Sequence, residues 1–131
     1  MRRWNGWGDE ATLYPLHDPA RRYLTGKVGQ ATPPVDAKLE EVASAAPPSR
    51  LPAHPLISQD PVDRVRHAAG QSLPDWVALR SGRLTAVPDG VAYPESEDAV
   101  RVILDLARGA GASVIPYGGG TSVVGHVNPL R

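Results

Sequence analysis

Cysteine is absent from these 131 residues, which excludes disulfides, zinc-thiolate sites and cysteine nucleophiles within the chain. Lysine does not occur after Lys38, so the second half lacks the Lys that usually works with a metal in phosphoryl transfer. Fourteen basic and fourteen acidic residues cancel to a formal charge of zero. That leaves no electrostatic footprint for nucleic acid, which is not an expected partner. No apolar run approaches the roughly 20 residues needed to span a bilayer. Arg2 and Arg3 could open an export signal, but Trp4-Asn5-Gly6 and Gly8-Asp9-Glu10 stand where its hydrophobic core should begin. An unsecreted, cytoplasmic protein with no membrane span is expected. The length would ordinarily suffice for one domain, and no internal repeat is visible.

Regular structure is scarce in the first half, because prolines at 15, 19, 33, 34, 47, 48, 52, 55 and 61 interrupt it. Each removes an N–H and biases its predecessor toward extended conformations. Short helices fit between them. The spacing predicts one over Val35 to Ala46, with Leu39, Val42 and Ala43 on one face and Lys38, Glu40 and Glu41 on the other. A second runs from Pro61, suited to a first helical position, to Ala69, and a third from Leu73 to Arg80 with Trp76, Val77 and Leu79. This half reads as a helical lead-in wrapped on a larger body, or as a partly disordered linker, since Ala45-Ala46-Pro47-Pro48-Ser49 has that composition. Trp4 and Trp7, beside glycines, are expected to anchor a loose end on a hydrophobic surface. Arg64, Arg66 and His67 either lie on the wet face of a short helix or form a basic cluster for a phosphorylated substrate or cofactor.

The second half is more regular. Val91-Ala92-Tyr93 predicts a short strand broken by Pro94, and Ser96 can cap a helix whose first turn carries Glu97 and Asp98. Val100, Ile103, Leu104, Ala107 and Ala110 then recur at helical spacing, while Arg101, Asp105 and Arg108 take the wet side. Gly109 and Gly111 end the helix, and Ala112-Ser113-Val114-Ile115 reads as a buried strand. The strand delivers the chain to Pro116-Tyr117-Gly118-Gly119-Gly120-Thr121-Ser122. Three consecutive glycines let backbone N–H groups turn toward one point and let an anion approach. The loop is either a diphosphate cradle, with Thr121 and Ser122 adding amide and hydroxyl donors, or a glycine-rich turn. It is not the dinucleotide fingerprint, since Val123 stands where the third glycine belongs, nor a P-loop, since His126 and Val127 replace Lys and Ser/Thr.

The run PDGVAYPESEDAVRVILDLARGAGASVIPYGGGTSVVG, from Pro88 to Gly125, resembles the FAD-binding domain of the p-cresol methylhydroxylase/vanillyl-alcohol oxidase flavoproteins. The matching positions are Pro88, Val91, Pro94, Val100, Ala107, Pro116 and Gly118 through Ser122. Two further stretches narrow the likeness. Arg2 to Gly8 is similar to the opening of the alkyldihydroxyacetonephosphate synthase branch and its bacterial relatives. Asp63 to Asp75 is similar to that branch's arginine- and histidine-bearing helix and its G-x-S-x-x-D turn. The resemblance implies an α/β (α+β) fold: a helical lead-in over 1–86, then the first β-α-β unit of the FAD-binding domain over 87–131, incomplete at its C-terminus. It also implies FAD as cofactor, with the diphosphate on Pro116, Tyr117, Gly118, Gly119, Gly120, Thr121 and Ser122. The loop holds no histidine for the covalent flavin bond of many members, so non-covalent FAD is expected. His126, just past the loop, reads as a surface or interface residue.

Two short strands cannot make a stable sheet with its helix face covered, so the chain is expected to be the N-terminal piece of a longer protein and inactive alone. The whole is expected to be an FAD-dependent oxidoreductase acting on a hydroxy acid or alcohol, with a small-molecule substrate, catalytic residues beyond Arg131 and a homodimer as a further expectation. An ether-lipid synthase that exchanges an acyl for an alkyl group on phosphorylated dihydroxyacetone is the alternative within the branch. An alternative of another class is a non-catalytic binding module without flavin. No residue of the chain is assigned as acid, base, nucleophile or metal ligand.

Overall fold

The computed structural model describes residues 3–32 and 35–130. Arg2 of the opening motif and the prolines at 33 and 34 lie outside the described residues. Five helices follow one another: α1 Asp18–Val28, α2 Leu39–Ser44, α3 Pro61–Arg66, α4 Leu73–Ser81 and α5 Glu97–Ala110.

The core forms where α2 and α3 pack, the one helix pair in substantial contact among the described residues. Leu39 and Ala43 of α2 meet Val65 of α3, and Trp4, Val42, Ala46, Val62, Leu84 and Val87 close around them. Trp4 thus anchors the start of the chain as expected, and Asn5 fixes it further through a 2.8 Å hydrogen bond from its Nδ2 to Asp36. Trp7 remains 69% exposed, touching Trp76 edge-on at 5.9 Å.

The four predicted helices are present, α2 and α3 with tighter limits, α4 running to Ser81 and α5 to Ala110, past Gly109. α2 does not begin at Val35, because the Ala37 N–H is drawn to the Arg80 carbonyl at 2.9 Å and Lys38 stays extended as N-cap. α3 starts at Pro61 behind Asp60, whose carboxylate accepts from Val62 N–H at 2.9 Å. It ends at Arg66 rather than Ala69, where His67 and Ala68 close i→i−3 bonds instead of continuing the α ladder. α4 has a full capping box between Ser72 and Asp75 and ends on left-handed Gly82. α5 is capped by Ser96, whose hydroxyl accepts from Ala99 N–H at 3.1 Å, and stops at left-handed Gly111. The sequence pattern missed α1. Pro19 fits its first turn, but none of its residues is buried, so no apolar stripe marks it.

The strands are the correction. Among the described residues there is no continuous strand: Val91 forms an isolated antiparallel bridge with Ser58, through bonds of 2.7 and 2.9 Å. Residues 112–115, the other predicted strand, join no backbone ladder. No bridge joins the two predicted strands among the described residues, so the β-α-β unit is not seen there. A strand is stable only with a partner beside it. The same lack leaves α5 uncovered: its amphipathic pattern is as predicted, yet none of its residues is buried.

Candidate functional site

The glycine loop is held from behind by the turn that leads into α4. Asn128, six residues beyond the loop's last candidate, inserts its side-chain amide between two partners. Its Oδ1 accepts from Gly70 N–H at 2.9 Å and its Nδ2 donates to Asp75 Oδ1 at 2.7 Å. Asp75 is 6% exposed, and its other carboxylate oxygen accepts from Ser72 N–H at 3.1 Å and Ser72 hydroxyl at 2.6 Å. A buried carboxylate is stable only when so satisfied. Gln71 N–H donates to the Ser122 carbonyl at 3.4 Å, and a Cβ on Gly70 would overlap that carbonyl oxygen. Glycine at 70 is therefore required by close approach, and the G-x-S-x-x-D turn clamps the far end of the loop.

The candidate residues divide by what they face. Gly118 and Gly119 are exposed; a Cβ at Gly118 would meet nothing, and one at Gly119 only Thr121 Cγ2 at 4.0 Å. Thr121 is exposed beside them. Gly120 is buried and left-handed, with φ 66°, and the Tyr117 ring fills the place of its missing side chain. Ser122 is partly committed inward, since its hydroxyl oxygen accepts from His126 N–H at 2.9 Å. Pro116 is exposed at the entry to the loop. His126 is also exposed.

An FAD diphosphate fits this arrangement. Gly118 and Gly119 offer a backbone edge with no side chain in the way, so an anion can reach main-chain dipoles. No acidic residue follows Asp105 in the chain, so the loop itself carries no carboxylate to repel it. Among the described residues no group of His, Asp and Glu is placed to hold a metal ion.

Behind Tyr117 lies a cluster that sequence reasoning did not assemble. Tyr93 hydroxyl donates to Asp63 Oδ1 at 2.7 Å, and its pKa is pushed up to about 12, first by burial of the hydroxyl and then by that carboxylate. Although the Tyr93 ring is largely exposed, the hydroxyl points into the cluster. His67 Nδ1 lies 2.7 Å from the Asp63 carbonyl oxygen, which can only accept, so Nδ1 carries a proton. The expected basic face is corrected here. Arg64 is 2% exposed, its Nε donating to Pro88 O at 2.6 Å and its Nη1 to Pro47 O at 2.9 Å. It ties three segments together and cannot greet a substrate. Periodicity could not show this, because long-range carbonyl partners leave no local signature.

Residues 88–129 match the FAD binding domain family. The chain is 32% identical over 74 residues to an alkyldihydroxyacetonephosphate synthase of Dictyostelium discoideum, a match covering 56% of this chain and 12% of that protein. It is 36% identical over 73 residues to the synthase of the same name from Trypanosoma brucei brucei, with the same coverage, 56% and 12%. The chain thus spans about an eighth of the length of these relatives. A solved structure of an alkyldihydroxyacetonephosphate synthase superposes with a TM-score of 0.74 at 23% identity, over 99% of this chain and 29% of that one. The likeness shows that the lead-in and the loop share that protein's fold. Residues 88–129 accordingly resemble a p-cresol methylhydroxylase-type FAD-binding domain, the chain is similar to the alkyldihydroxyacetonephosphate synthases, and the family match indicates FAD as the cofactor.

Proposed function

We propose that the chain is the diphosphate-holding part of an FAD-dependent flavoenzyme, with residues 1–86 as lead-in and 87–131 as the start of the FAD-binding domain. The open backbone edge at Gly118 and Gly119, locked from behind by Asn128 and Asp75, carries this reading. The amides of this edge and of Thr121 orient the diphosphate, and Tyr117 and Gly120 shape the turn. Bound FAD supplies a two-electron acceptor for a carbon bearing oxygen, as in oxidation of a hydroxy acid or alcohol. The loop has no histidine, so the cofactor is held without a covalent bond.

A second reading is favoured by the names of the relatives: an ether-lipid synthase in which acyl and alkyl groups are exchanged on phosphorylated dihydroxyacetone. Both readings need the same cradle. Titration of the protein with FAD, followed by flavin fluorescence, tests it. Gly118→Val should weaken binding roughly tenfold or more by blocking charge-assisted amide bonds, with the thermal midpoint unmoved. Equal affinity in wild type and variant would reject the cradle.

A further inference from the structure

Tyr117 is the large side chain within the glycine loop, and its ring folds back beneath Gly120, where a Cβ would overlap its hydroxyl. Gly120 is consequently buried while Gly118 and Gly119 face outward. The position of one ring therefore decides which glycines are presented. That ring rests edge-on against His67, with centroids 4.6 Å apart and planes at 63°. His67 is itself fixed on two sides. Its Nδ1–H donates to the Asp63 carbonyl at 2.7 Å, and Nε2 lies 3.4 Å from Tyr93 hydroxyl, which is held by the Asp63 carboxylate. The His67 and Tyr93 rings also meet edge-on at 5.8 Å. An edge contact between rings is directional, so a fixed imidazole can fix the tyrosine in turn.

We propose that His67 is the positioning residue of the glycine loop: anchored by Asp63 and Tyr93, it seats Tyr117 under Gly120 and thereby turns Gly118 and Gly119 toward the ligand. The benefit to ligand binding rests on the FAD reading above, whereas the seating of the loop does not.

The test is the ¹H–¹⁵N spectrum of the full chain without ligand, in which backbone amides of Gly118, Gly119 and Gly120 report the loop's conformation. His67→Ala should displace all three. His67→Phe, which keeps a ring against Tyr117, should bring them back toward wild type, and His67→Gln, which keeps hydrogen-bonding capacity but no ring, should not. Unmoved amides in His67→Ala, or equal recovery with Gln, would overturn the proposal. Should His67→Ala fail to fold, Tyr117→Leu removes the contact from the loop side: displaced amides support the seating and unchanged ones overturn it. FAD added afterwards separates the two claims. Affinity in His67→Ala should fall roughly fivefold, the scale of one aromatic edge contact. Displaced amides in a protein that never binds FAD would sink the FAD reading alone, and FAD binding with unmoved amides would sink the seating alone.

Discussion

The three loop glycines are not equivalent, and substitution separates them. Gly120→Ala meets both a left-handed backbone and the Tyr117 ring, so it should cost about 1–3 kcal/mol in thermal or denaturant unfolding. Gly118→Ala meets open space and should change stability by no more than about 0.5 kcal/mol. Tyr93 offers a spectroscopic check on the cluster behind the loop. Its folded pKa, pushed up to about 12, lies above the ordinary tyrosine range. The stability it contributes is therefore complete below the ordinary tyrosine range and is lost as pH rises through about 12. Absorbance at the phenolate band should show one late-titrating tyrosine that Tyr93→Phe removes; titration of every tyrosine near the ordinary value would contradict the hydroxyl's engagement with Asp63. Of this site the sequence made the glycine run legible, because three adjacent glycines announce themselves locally. It left Asn128, Gly70 and Asp75 unassembled as a clamp, and His67 and Tyr93 unjoined to Tyr117, because those partnerships span tens of residues and follow no period.

Helix boundaries follow their caps more faithfully than their apolar stripes. Ser96, Ser72 and Asp60 each accept a backbone N–H where a helix begins, and Gly82 and Gly111 end two of them in the left-handed conformation. Ser96→Ala should lower stability by about 1 kcal/mol, read from the helical signal on thermal unfolding, and Ser96→Asp should restore most of it. Ser96 and Gly111 were readable as such ends in the sequence because capping is chemistry within four residues. The start of α2 was not, because Arg80, far along the chain, captures the Ala37 amide. Nor was α1, whose helical residues bury nothing. The segment between α2 and α3 is tied to the start of the FAD-binding stretch by Arg50, whose guanidinium makes a two-pronged contact with Asp89 at 2.6 to 3.2 Å. That guanidinium holds the Asp89 carboxyl below its ordinary value. A depressed folded pKa stabilises above the unfolded carboxylate range and is lost as pH falls through and below it. Asp89→Asn should flatten the acid limb of the stability profile; an unchanged limb would show that the pair contributes nothing.

At the scale of the molecule, the lead-in and the loop are one body. Ser58 bridges Val91, Arg64 reaches Pro88, and Gly70 and Asp75 grip Asn128. Among the described residues this body contains no sheet. α5 has a well-defined apolar face, yet Leu104 is 44% exposed, and Leu104→Gln should shift the stability of this chain by no more than about 0.5 kcal/mol. A loss of several kcal/mol would mean the face is covered. The helical half of the fold was legible from capping and periodicity, whereas strands were inferred from apolar runs whose pairing partners the described residues do not supply. The central claim is that main-chain dipoles at Gly118 and Gly119 receive the FAD diphosphate. A ¹H–¹⁵N titration of the protein with FAD tests it most directly: the amides of Gly118, Gly119 and Thr121 should shift first and furthest, and Gly118→Val should move the midpoint of that response to roughly tenfold or more higher FAD. Shifts confined to other parts of the chain, with those three amides silent, would contradict it.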